Sequence, residues 1–73
     1  SILGARQPIF DVFDAAIRRE YHWVAEDDYR RGRAAVLQRF LDRPVIFVTP
    51  ALREMFEARA RDNLRRAISR LRG

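Results

Sequence analysis

The sequence predicts an all-α fold of three helices, and three observations carry that prediction. Apolar side chains recur at three- and four-residue spacing through residues 8–24, 27–42 and 50–71. Prolines stand at the expected boundaries, Pro8 and Pro50 in first turns and Pro44 just past the second helix. The β-branched run Val45-Ile46-Phe47-Val48 has no partner strand in the chain, so residues 45–48 are expected to cross the helices as a short extended segment, or to pair outside it.

Residues 1–7 are expected to be irregular, with Gly4 free to take a backbone conformation closed to other residues. The first helix follows from Pro8, with Ile9, Phe10, Phe13, Ile17, Tyr21 and Val24 on one stripe and an Asp14–Arg18 pair at i,i+4. Glu26, Asp27 and Asp28 meet the positive end of the second helix and set its start near residue 26 or 27. That helix buries Tyr29, Val36, Leu37, Phe40 and Leu41 and turns Arg30, Arg31, Gln38 and Arg39 outward. Gly32 inside it costs about 1 kcal/mol relative to alanine, which suggests close approach of another backbone there. Thr49-Pro50 reads as a hydroxyl cap followed by proline. The third helix presents Leu52, Phe56, Ala60, Leu64, Ala67, Ile68 and Leu71, with Glu57–Arg61 and Asp62–Arg66 pairs alongside.

At 73 residues the chain is a single unit, of a size that buries only about 60% of its unfolded surface. It has no cysteine, hence no disulfide framework or thiolate zinc site, and a reducing cytoplasmic setting is the default expectation. No apolar run approaches the length of a membrane span, so a membrane partner is not expected. Fifteen arginines and no lysines stand against ten acids, for a net charge of +5. The charges interleave along most of the chain, as on a solvated, salt-bridged surface. Only the tail departs from this, where Arg65, Arg66, Arg70 and Arg72 follow Asp62 without an acid and form a candidate nucleic-acid patch.

Groups for catalysis are scarce. His22 is the single histidine and the glycines are isolated, so neither a metal set nor a phosphate loop can be assembled; no catalytic or metal-ligating residue is assigned. The hydroxyls are Ser1, Thr49 and Ser69; Thr49 reads as a cap, and Ser69 has no base nearby. Tyr21, His22 and Trp23 read as a helix terminus packed on the core, with a ligand-stacking corner as the alternative. Arg18 and Arg19 are partners for Asp14 and Glu20, or a phosphate clamp.

Ser1-Ile2-Leu3-Gly4, Ile17-Arg18-Arg19-Glu20-Tyr21, Tyr29-Arg30-Arg31-Gly32-Arg33-Ala34-Ala35-Val36-Leu37 with Phe40-Leu41, Arg43-Pro44, Thr49-Pro50 and Ala60-Arg61-Asp62-Asn63-Leu64 occur in order. As an ordered set they resemble the C-terminal part of the predicted metal-dependent phosphohydrolases of the HD superfamily, over nearly the whole chain. The resemblance implies that the chain is the C-terminal fragment of a larger all-helical HD-type hydrolase. Its divalent-metal ligands would lie upstream, the last aspartate just before Ser1; His22 is followed by Trp23 and does not match the His-Asp doublet. No cofactor is expected in the fragment itself, which would be scaffold rather than catalyst.

On that basis Arg18, Arg19, Tyr21, Arg33 and Arg39 are candidates for phosphate contact or site support. The expected partner is the missing N-terminal part of the same protein. The surfaces of Ile9, Phe10 and Phe13 and of Val45, Ile46 and Phe47 would pack on it, and without it the chain is expected to self-associate. The alternatives are a small basic helical module that binds nucleic acid through its tail, or one that docks a partner protein.

Overall fold

The stripe through the last third of the sequence becomes the axis of the fold. A computed structural model describes residues 2–73, in the order α1 (Gln7–Glu20), α2 (Glu26–Leu41) and α3 (Pro50–Arg72). Among the described residues no strand forms, and the chain is an all-α bundle. Ser1, a candidate hydroxyl and the first residue of the stretch expected to be irregular, lies outside the described residues.

α3 spans 23 residues, or about 34 Å, and nearly fills the long dimension of a 39 × 22 × 18 Å molecule. α2 packs antiparallel on it. Arg30 near the start of α2 reaches the Arg70 and Leu71 carbonyls at 3.4 Å, and the Leu41 carbonyl at its end accepts from Arg61 at 2.8 Å. Buried Ala34 and Ala67 leave room for this approach. The core is Phe10, Leu37, Leu64, Ala67 and Ile68, walled by Leu3, Phe40, Leu41, Ile46 and Leu71. Each large side chain in it contributes about 2 kcal/mol of transfer free energy.

α1 lies across this pair with its apolar stripe divided. Phe10 faces the core at 1% exposure, whereas Ile9, Val12 and Phe13 face outward, Val12 at 68%. Phe10 therefore belongs to this chain's own core and not to a surface awaiting another helix. α1 is also shorter than its periodicity suggests, ending at Glu20 instead of residue 24. The Tyr21 N–H still reaches the Ile17 carbonyl, but His22 bonds back to Arg19 and Val24 to Tyr21, and the chain turns. Arg18 fixes that turn by donating to the carbonyls of Tyr21 and Val24, both at 3.2 Å. Tyr21, His22 and Trp23 are consequently exposed, Trp23 at 72%, rather than packed on the core.

Other local expectations also change. α2 starts at Glu26 with its three acids in the first turn, yet no side chain caps it. Thr49 occupies the cap position of α3 without a hydroxyl bond. The Glu57–Arg61 pair forms at 2.9 Å, but Asp14 pairs across the helices with Arg33, and Asp62 pairs with Arg65 one turn along α3 while Arg66 is taken by Asp11 of α1. The stripe of α3 holds from Ala60 onward, while Leu52 near its start is exposed.

The glycines exchange roles. Gly4 has no positive φ; it is buried against Phe56, where a Cβ would sit 2.7 Å from that residue's own Cβ. At Gly32 a Cβ would meet nothing within 4 Å, so the close approach expected there is not made by this chain.

Candidate functional site

Among the described residues Asn63 is the one buried polar residue of the core. It projects from the middle of α3, where Ala60, Leu64 and Ala67 bury the same side of the helix, and its amide donates to the carbonyls of Leu3 at 2.9 Å and Ala5 at 2.8 Å. Its Oδ1 accepts from Arg66 at 3.1 Å, so amide donors and acceptor are all used. Arg66 continues to Asp11 on α1 at 2.6 Å, Arg70 joins the same carboxylate at 3.1 Å, and Arg59 adds a bond to the Gly4 carbonyl at 3.3 Å. The Arg66 bond is the chief reason the Asp11 carboxyl sits below its ordinary value, against partial desolvation, with Arg70 assisting.

A second clasp lies two turns earlier on α3. The Glu57 carboxylate accepts from the backbone N–H groups of Ile46 at 2.9 Å and Phe47 at 3.1 Å, as well as from Arg61. Arg61 donates onward to the carbonyls of Leu41 and Arg43, both at 2.8 Å, and of Pro44 at 3.2 Å. Burial pushes the Glu57 carboxyl up, but the two backbone donors and Arg61 together outweigh it and hold the group below the usual carboxylate range. The segment 45–48, expected to be extended, is instead irregular with a bend at Ile46, which turns two successive N–H groups onto one carboxylate of α3. Val45, Ile46 and Phe47 are half-buried against their own chain, with Phe47 and Phe56 ring centroids 5.9 Å apart, and only Val48 is bare.

The candidate phosphate residues are only partly brought together. Arg18 and Arg33 do share the α1–α2 seam around Tyr29. There Arg18 stacks on the Tyr29 ring at 4.5 Å and binds Glu26 at 2.9 Å, while Arg33 binds Asp14 at 3.3 Å with its Nε buried and unpartnered. The Glu26 carboxyl is lowered, first by its bond from Arg30 and then by the charge of Arg18; burial raises the Tyr29 phenol. Arg19 and Arg39 are exposed and apart from this seam, whereas Tyr21, also exposed, lines the groove beside Tyr29 and Arg33 and accepts from Arg18 through its carbonyl. In the tail, Arg66 and Arg70 are held by Asp11 and Arg65 by Asp62 at 3.5 Å, leaving only Arg72 without an acid among the described residues.

The acids do not fit a divalent-metal site. Asp11, Asp14, Glu26, Asp28, Glu57 and Asp62 each hold an arginine, and among the described residues no three His, Cys, Asp or Glu side chains converge. Among them, too, no helix is long and apolar enough to cross a membrane.

Asn63, Glu57 and Arg59 were not singled out as functional residues by sequence, since their partners lie up to 60 positions away. The one signal was Asn63 within the ordered motif. No protein family, curated protein or solved structure matches this chain.

Proposed function

We propose that this chain is a non-catalytic helical scaffold that packs against further protein, as the C-terminal part of a metal-dependent HD-type phosphohydrolase would. One observation carries it: residues from several of the ordered motifs are in contact with one another. Asn63 holds the Leu3 carbonyl and Arg61 holds those of Arg43 and Pro44. Motif residues used to fasten the backbone act as architecture, which explains a signature with no catalytic group in it. The bare outer face of α1, with Ile9, Val12 and Phe13, supports a role that buries this unit against a neighbour.

Assays on this chain and on a version extended upstream along its reading frame test the proposal. With Mn2+ or Mg2+ and a panel of phosphomonoesters, phosphodiesters and nucleotides, this chain is expected to give no turnover and the extended protein metal-dependent release of phosphate. A reading frame with no upstream His-Asp doublet, or an extended protein inactive with every metal, would overturn it.

A further inference from the structure

Gly32 is the feature of α2 that its own fold leaves unexplained. Glycine within a helix costs about 1 kcal/mol against alanine. Neither a positive φ nor a neighbour within 4 Å requires it here. Beside it runs an apolar groove of about 440 Å3, walled by Ile17, Tyr21, Val24, Tyr29 and Val36.

Charge along this face says what would cover it. Asp28, Gly32, Ala35 and Arg39 are all exposed and lie within about 60° of one another around the helix. The acid stands toward the N-terminus and the base toward the C-terminus, with the two small residues between. A second α2 turned end for end presents base to acid and small residue to small residue. The pattern is self-complementary only in that antiparallel arrangement. Asp28 engages Arg31 through Oδ1 at 2.6 Å, in a pair so exposed that it contributes little, and its Oδ2 remains available. The Arg39 side chain makes no ion pair or hydrogen bond among the described residues.

We infer that this face of α2 is an interface between two copies of the chain, related by a two-fold axis passing between Gly32 and Ala35. Each contact then occurs twice, as in any isologous dimer. Arg39 of either copy meets Asp28 of the other, and Gly32 lets the two helices approach until the apolar walls of the groove are covered. The inference concerns association alone and stands whether or not the hydrolase reading holds.

Sedimentation velocity from low to high micromolar concentration tests it on the 73-residue chain. The wild type is expected to shift from monomer to dimer. Gly32→Leu fills the approach site with a better helix former and should remain folded, by its circular-dichroism melt, yet monomeric throughout. Gly32→Ala should weaken association to a smaller degree. Asp28→Arg and Arg39→Asp should each weaken it by about tenfold or more, and the double variant should restore it to within a few-fold of wild type. A wild type that stays monomeric, a Gly32→Leu variant that dimerises normally, or a double variant no better than the singles would overturn the inference.

Discussion

The N-terminal strap, residues 2–6, is held on α3 chiefly by a neutral amide, with Arg59 adding one bond to the Gly4 carbonyl, whereas the link at residues 42–49 is held chiefly by an ionised pair, with Arg53 on the Phe47 and Val48 carbonyls. Asn63 donates to two carbonyls of the strap, while Glu57 accepts from two N–H groups of the link and Arg61 donates to its carbonyls. Both solve the same problem, since irregular backbone laid on a core must have its polar groups paired. The deeper position takes the uncharged side chain: Asn63 is 1% exposed. The Glu57 and Arg61 side chains keep 16% and 20% of their surface in water, where an ion pair is less costly to desolvate. Burial depth selects the chemistry of the clasp, and the two clasps should fail under different conditions.

Asn63→Leu breaks the comparison most severely. It strands the Leu3 and Ala5 carbonyls in the interior and should destabilise the fold by about 3 kcal/mol in urea titration. Gly4→Val acts on the same strap by volume. The added side chain must displace Phe56 or the strap, for about 2 kcal/mol in the same titration.

Acid sharpens the contrast by acting on the other segment. The folded-state value of Glu57 is depressed, so its contribution is present above the ordinary glutamate value and is lost as pH falls through the lowered one. Below about pH 4, protection of the Ile46 and Phe47 amides relative to their intrinsic exchange should fall, and Glu57→Gln should lower that protection at neutral pH as well. Asp11 and Glu26 are lowered as well, so overall stability also declines with acid; the bonds from Asn63 to the strap carbonyls contain no titrating group. The smallest effect is a gain. Gly32→Ala, measured on dilute protein, should stabilise by up to about 1 kcal/mol, because nothing in the chain occupies the space its Cβ would take.

The helices were legible because their apolar spacing and prolines are local signals. The end of α1 was not, since the apolar rhythm runs on through Tyr21 and Val24 while the turn is set by Arg18 binding their carbonyls. A glycine in a sequence signals that something is unusual without saying what. At Gly4 it is proximity to Phe56, reached over 52 positions, and at Gly32 it is open space. The ion pairs show the same division. Glu57–Arg61 lies within one helix and is readable from spacing, whereas Asp11–Arg66 and Asp14–Arg33 depend on how the helices cross. Residue type and motif mark the candidate phosphate arginines, and neither encodes that Arg18 and Arg33 already have carboxylate partners.

Amide hydrogen exchange by NMR on Asn63→Leu and Arg61→Gln, at neutral pH beside the wild type, tests most directly whether α3 holds the two segments independently. Asn63→Leu should release the strap, with lost protection at the Ala5 amide and retained protection at Ile46 and Phe47. Arg61→Gln should do the reverse. Equal loss of protection at both segments in either variant would contradict separate clasps and make the strap and link one cooperative unit.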